Sequence, residues 1–159
     1  MSGFSKAIEL ICKYEVYNEQ SYCDPVSNKE PYTFGYGTQY YPDGSPVKKG
    51  HRCTQKKALD FLLHELYVID GELDKLQLDI DSSMREALIS FIHSIGWEAF
   101  LYSSVVDYIS AQKYHAAADE MNRWIFDHNH QALGHLLHRR QEETKLFLSE
   151  IDTNVSALP

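Results

Sequence analysis

The repeating pattern of the chain changes near residue 53, and that change limits what the chain can fold into. Before it, turn-forming stretches such as DPVSNKEP from residue 24 and YPDGSP from residue 41 alternate with tyrosine-rich stretches. That pattern is typical of short strands joined by turns. After residue 53, and also over residues 1–15, apolar residues recur every three or four positions, which predicts helices. The sequence therefore predicts an α+β fold: one helix, a small antiparallel sheet of two or three strands, and a helical body.

Local signals mark where several of these elements begin and end. Thr54 precedes a helical stretch and is a preferred N-cap residue. Ser83 and Glu86 have the spacing of a capping box at the start of another helix, which Gly96 ends. Gly44 supplies the positive φ for the turn in YPDGSP. Further helices are expected over HAAADEMNRWIF (115–126) and GHLLHRRQEETKLFLSEI (134–151).

Charge is unevenly distributed along the 159 residues. Residues 1–57 hold eight Lys/Arg and six Asp/Glu, whereas residues 58–159 hold seven and seventeen. The chain lacks the basic stripe of a nucleic-acid-binding protein, so we expect no nucleic-acid partner. No apolar run approaches the roughly 18 residues of a membrane span, so we expect no stable membrane insertion. The N-terminus has no basic segment followed by an apolar core, so we expect no signal peptide.

Cysteines and histidines give no metal-binding pattern. Cys12, Cys23 and Cys53 contain no CxxC pair, which argues against a zinc site and a disulfide framework. The eight histidines include an alternating pair, His128 and His130, and an i, i+3 pair, His135 and His138. Without partnering cysteines or carboxylates, these are interpreted as solvated or packed side chains. We therefore expect no metal and no cofactor.

The stretch PYTFGYG, residues 31–37, alternates small and aromatic residues. In a strand, Thr33, Gly35 and Gly37 would share one face and Phe34 and Tyr36 the other. We expect the face without side chains to be flat and open to a bulky ligand, and the aromatic face to lie in the core.

Two acidic residues precede this stretch. Glu15 lies near the end of the first predicted helix, and Asp24 follows before Thr33. Glycoside hydrolysis uses two carboxyl groups, one protonated to assist the leaving oxygen and one ionised. By itself the spacing is weak evidence, because two carboxylates near aromatic residues are usually surface groups in a chain with 23 acidic residues.

A motif strengthens the catalytic interpretation. Glu15 and Asp24 form E-x8-D, Tyr22 stands two residues before the Asp, and Thr33 opens a TFGYG segment. Together these resemble the phage lysozyme (endolysin) family, glycoside hydrolase family 24. Later segments resemble the same family in the right order: CTQKKALDFLLHEL, ALISFIHSIGWEAFLYSSVV, AADEMNRWIF and LLHRRQEETKLF.

The resemblance implies a single lysozyme-like domain with an active-site cleft between two lobes. We expect a small β-containing lobe over residues 12–57, a helical lobe over residues 1–11 and 58–150, and a flexible tail over residues 151–159. Arg139 and Arg140 would lie on the last helix, with one of them paired to an acidic neighbour.

The resemblance also implies a peptidoglycan-cleaving muramidase. Glu15 would be the general acid, Asp24 would orient water or stabilise the sugar cation, and Thr33 would bind that water. Predicted substrate contacts are Tyr32, Gly35, Tyr36 and Gly37. The expected partner is the peptidoglycan glycan strand, and the enzyme would be a monomer that accumulates in the host cytoplasm and depends on a holin to reach the wall.

The chain departs from the family pattern between its second and third motif residues. Eight residues rather than the usual five separate Asp24 from Thr33, which predicts a longer hairpin. Two other interpretations stay open at this point: a lytic transglycosylase acting on the same bond, and a non-catalytic cell-wall binding module that has kept the fold. A secreted antibacterial effector is as compatible with the sequence as a phage lysis protein.

Overall fold

The computed structural model describes residues 3–23, 28–127 and 130–156. Within these ranges the chain is mostly helical, with one small antiparallel sheet, which confirms the predicted α+β fold. The elements are α1 (Ser5–Tyr14), β1 (Asn18–Tyr22), β2 (Thr33–Gly35), α2 (Gln55–Leu76), α3 (Ser82–Ile95), α4 (Trp97–Leu101), α5 (Ser104–Ser110), α6 (Tyr114–Met121) and α7 (Gly134–Ser156).

The chain divides into two compact units. Residues 11–68 form one, here called the sheet unit, and residues 1–10 with 69–159 form the other, here called the helical unit. The division falls inside α1 and α2, so each of these helices contributes residues to both units.

The sheet of the sheet unit is short and irregular. β1 pairs antiparallel with β2, with Asn18 opposite Gly35 and Tyr22 opposite Thr33. Four residue steps along β1 therefore match two along β2, so β1 bulges between the two pairs. On its other side β1 is bridged by the segment 51–53, which adds a third, single-bridge strand to the ladder.

Aromatic rings fill the core of the sheet unit. Phe34, on β2, is fully buried and stacks on Phe61 of α2, with ring centroids 5.7 Å apart. Tyr41 meets both rings edge-on. One face of α2 supplies the buried aliphatic side chains of this core, which are Ala58, Leu62 and Leu66. Their helical spacing explains why this helix packs on the sheet with that face.

The core of the helical unit is built around α3, which packs against α7. α3 buries Met84, Leu88 and Phe91, and α7 contributes Phe147. Each such side chain contributes roughly 1.5–3 kcal/mol when it leaves water. Arg139 and Arg140 both pair with Glu143 inside this core, so the predicted pairing of one Arg with an acidic neighbour is confirmed for both.

The predicted helix start at Thr54, the helix end at Gly96 and the turn at Gly44 are confirmed. The Thr54 hydroxyl accepts the N–H of Lys57 at 3.2 Å at the start of α2. Gly96 ends α3 with φ 93°, and Gly44 has φ 89°. The capping box at Ser83 is wrong, because α3 begins earlier and its N-cap is Asp81.

Two helix lengths differ from the predictions. α6 ends at Met121 rather than at residue 126. Beyond it, Phe126 bridges to Ala132, and the Trp124 carbonyl accepts a hydrogen bond from Arg140 Nε at 2.9 Å. α7 continues to Ser156, so residues 151–156, which were expected in a tail, are helical. Residues 157–159 lie outside the described residues.

Candidate functional site

Glu15 directly follows α1, and its carboxylate lies near the phenol of Tyr22 at the end of β1. The backbone N–H of Glu15 donates to the carbonyl of Ile11 at 2.7 Å, which continues the helical hydrogen bonding of α1. The pKa of Tyr22 is raised, first by burial and then by the negative charge of Glu15. Charges act strongly only on near neighbours in solvated surroundings. The carboxylate of Glu15 is therefore a near neighbour of the Tyr22 phenol.

Thr33 lies at the same end of the sheet. It is the first residue of β2, and it stands opposite Tyr22 in the register of the two strands. Two of the three predicted catalytic residues, Glu15 and Thr33, lie in the sheet unit. Asp24, two residues beyond Tyr22, lies outside the described residues.

The predicted strand over PYTFGYG is wrong beyond Gly35. Gly35 and Gly37 both have positive φ, 61° and 84°, so the chain turns instead of continuing straight. A Cβ placed on Gly35 would lie 3.0 Å from the Cβ of Ala58 and 3.5 Å from the Sγ of Cys53. The bare face at Gly35 is therefore filled by α2 and is not open to a sugar.

The predicted core positions of the two aromatic residues in this stretch are confirmed. Phe34 is fully buried and Tyr36 is 5% exposed. The same burial argues against the predicted substrate contact by Tyr36, because a ring enclosed by protein offers no face to a sugar.

Comparison with known proteins identifies the family. The Phage lysozyme family model matches residues 12–143, a range that contains Glu15, the position of Asp24, and Thr33. The chain belongs to the phage lysozyme family.

Individual members and structures agree with this assignment. The endolysin of Bacillus phage PZA is 33% identical over 150 residues, which is 94% of this chain and 56% of that relative. The chain thus spans about half the length of that endolysin. The solved muramidase domain of SpmX from Asticaccaulis excentricus is 28% identical, with a TM-score of 0.77 over 91% of this chain and 95% of that one. The endolysin of Escherichia coli O157:H7 phage FAHEc1 is 25% identical, with a TM-score of 0.78 over 94% and 95%.

In this phage lysozyme family member, Tyr32 and Cys23 meet at the base of the long hairpin. The two side chains share a hydrogen bond, and the pKa of Tyr32 is raised first by burial and then by Cys23. The Cys23 thiol donates to the side-chain oxygen of Asn28 at 3.3 Å. These three residues flank the positions 24–27, which lie outside the described residues. The sequence pattern around Cys23 did not predict this contact.

The other contacts that the sequence missed surround Tyr36. Its hydroxyl accepts a hydrogen bond from Gln55 Nε2 at 3.0 Å, and its ring lies 5.8 Å from that of Tyr17. The Gly-Tyr-Gly sequence at residues 35–37 could have predicted this loop, because two glycines around one residue favour a tight loop as much as a strand.

No metal site is found in the part of the chain that the structure describes. Residues 3–23, 28–127 and 130–156 contain no group of three His, Cys, Asp or Glu side chains placed to hold an ion. Of the histidines singled out in the sequence, His128 lies outside those residues.

Proposed function

We propose that this chain is an endolysin-type muramidase, which hydrolyses the β-1,4 bond between N-acetylmuramic acid and N-acetylglucosamine in peptidoglycan. The observation that carries the proposal is the match of the phage lysozyme family model to residues 12–143, a range that contains Glu15 and Thr33. The names of the relatives, two endolysins and a muramidase domain, support the substrate class.

In the proposed mechanism, Glu15 protonates the glycosidic oxygen as the bond breaks. Asp24 orients the attacking water or stabilises the developing sugar cation, and the Thr33 hydroxyl holds that water. Tyr32 and Gly37 are proposed as contacts to the substrate, since Gly35 and Tyr36 are buried in the core.

The test is the isosteric variant Glu15→Gln, assayed on purified peptidoglycan. Loss of general acid catalysis should lower the turnover number by about 10²–10⁴-fold. Glu19→Gln is the matched control, because Glu19 is an exposed residue of β1 that lies away from the end with Tyr22 and Thr33.

Two outcomes of this assay decide the role of Glu15, and a separate measurement tests the reaction. An inactive Glu15→Gln with an active Glu19→Gln supports Glu15 as the acid. Equal turnover of the parent and Glu15→Gln would remove Glu15 from the mechanism. Mass spectrometry of the parent digest tests the reaction itself, because hydrolysis leaves reducing muramic ends and a transglycosylase leaves anhydromuramic ends.

The route to the wall is part of the same proposal. No helix among the described residues is both long and apolar enough to cross a bilayer. We propose, from the family resemblance, accumulation in the host cytoplasm and release by a holin-type partner, with the enzyme acting as a monomer. Cultures that express the chain together with a holin should lyse, and cultures that express it without a holin should not. Light scattering after size exclusion should give a mass near 18.4 kDa.

A further inference from the structure

The loop at residues 34–38 is built to direct one side chain into the protein. Phe34 and Thr38 exchange two backbone hydrogen bonds, of 3.0 and 2.9 Å, and so close a loop around the three residues between them. Gly35 and Gly37 take positive φ, which turns the chain on each side of Tyr36. The tip of this loop is therefore Tyr36, and its side chain is buried rather than exposed.

Tyr36 contacts three separate segments of the sheet unit. Its hydroxyl accepts a hydrogen bond from Gln55 Nε2, at the start of α2, at 3.0 Å. The same hydroxyl is hydrogen-bonded to the thiol of Cys12 on α1. Its ring packs on that of Tyr17, whose hydroxyl donates to the carbonyl of Cys53 at 2.7 Å.

Two of these contacts lie on either side of Glu15. Cys12 lies three residues before it, within the last turn of α1, and Tyr17 lies two residues after it. The last turn of a helix is where the chain frays, because its carbonyl groups lack partners further along the helix. Contacts from neighbouring segments to both flanks therefore help to hold a residue just beyond α1 in place.

We propose that Tyr36 is a positioning residue that fixes the chain around Glu15 by holding Cys12 through its hydroxyl and Tyr17 through its ring. This inference rests on the proposed function, since it concerns the placement of the proposed general acid. Such an acid must lie within hydrogen-bonding reach of the glycosidic oxygen. Misplacement by about 1 Å costs up to about 10²-fold in rate.

The main variant is Tyr36→Phe, which keeps the ring and removes the hydroxyl. We expect kcat on soluble peptidoglycan oligosaccharides to fall about tenfold, with KM changed less than twofold. This loss is smaller than the rate loss of about 10²-fold for a misplacement of about 1 Å. The basic limb of the pH–rate profile should also move, because Glu15 would occupy a changed environment.

The matched control is Tyr41→Phe. Tyr41 also belongs to the sheet unit, and its hydroxyl is hydrogen-bonded to His51 Nδ1 at 3.0 Å, a residue that is not on α1. Both variants should remain folded, because the loss of neutral hydrogen bonds of this kind costs little stability. Only Tyr36→Phe should lose kcat.

A second variant keeps the test independent of any folding defect in the first. Cys12→Ala removes the thiol partner and leaves Tyr36 intact, so kcat should again fall while KM stays within twofold. The proposal is overturned if Tyr36→Phe and Cys12→Ala match Tyr41→Phe in kcat and pH profile, or if only KM rises. An active Glu15→Gln in the same assay would instead overturn the proposed function and would leave the contacts of Tyr36 as a structural feature.

Discussion

The two units of this chain hold their buried polar groups in different ways. In the helical unit, the fully buried guanidinium groups of Arg139 and Arg140 share the carboxylate of Glu143, with Arg139 Nε at 3.2 Å. Ser90 donates to the same carboxylate at 2.5 Å. In the sheet unit, buried polar contacts are made mainly by hydroxyl groups, such as that of Tyr36.

The difference affects what a substitution does to each unit. A buried charge that loses its partner is costly, because it cannot be resolvated without opening the core. A neutral hydroxyl that loses one hydrogen bond costs far less. The helical unit is therefore sensitive to changes of charge, whereas the sheet unit, which carries the proposed catalytic residues, is sensitive to changes of backbone shape.

The largest predicted effect is on the charged cluster. Glu143→Gln keeps the shape of the side chain but leaves two buried guanidinium groups without their shared negative charge. We expect the free energy of unfolding to fall by about 3–5 kcal/mol, as measured by denaturant titration.

The control for this prediction is Glu72→Gln, the same chemical change in an exposed i, i+3 pair with Lys75. It should cost at most about 0.5 kcal/mol. Similar losses in the two variants would show that burial of the cluster does not set its contribution.

The second prediction concerns backbone shape in the sheet unit. Gly35→Ala adds a Cβ that would lie 3.0 Å from the Cβ of Ala58, and it does so at φ 61°. The left-handed conformation and the crowding together should lower the free energy of unfolding by about 2–4 kcal/mol.

Gly44→Ala separates these two causes. Gly44 also has positive φ, 89°, but no atom lies within 4 Å of the added Cβ. Conformational strain alone should cost about 1–2 kcal/mol. A loss at Gly35 no greater than the loss at Gly44 would mean that Ala58 yields without cost.

The smallest predicted effect is a pH dependence at the start of α3. Asp81 accepts the N–H of Met84 at 2.8 Å and Glu150 accepts that of Ser83 at 3.0 Å, so two carboxyl groups bind neighbouring amides. Burial, and then Glu150, raises the pKa of Asp81. A carboxyl with a raised pKa adds stability below its unfolded pKa, and this stability is lost as the pH rises through the folded value. Asp81→Asn should therefore match the parent Tm in acid, below the unfolded pKa of Asp81, and exceed it once the pH has risen through the raised folded pKa.

Asp43→Asn in the sheet unit should behave in the opposite sense. Hydrogen bonds from the Ser45 hydroxyl and N–H lower the pKa of Asp43. Its contribution is present above the unfolded pKa and is lost as the pH falls through the folded value. The variant should melt below the parent at neutral pH and approach it in acid. The same sign of change in both variants would contradict the proposed origin of each shift.

Short sequence windows predicted many features correctly. The helix start at Thr54, the helix end at Gly96 and the turn at Gly44 follow from preferences of one residue and its nearest neighbours. The family also follows from a local sequence motif, because Glu15 and Thr33 lie in the range that the family model matches.

Other predictions failed where distant residues decide. Sequence preferences alone did not indicate that Asp81 rather than Ser83 would cap α3, since both are favourable cap residues and packing selects between them. It also assigned Gly35 to an open strand face, although α2 covers that position with Ala58.

By itself, then, the sequence determined the α+β class, the family and the identity of the residues proposed for catalysis. Only the tertiary structure decided that Tyr36 points into the protein toward Cys12, and that Arg139 and Arg140 share one carboxylate. The physical reason is the distance along the sequence over which each effect acts. Backbone preferences and motifs act over a few residues, whereas burial and hydrogen-bond partners depend on which distant segments meet when the chain packs.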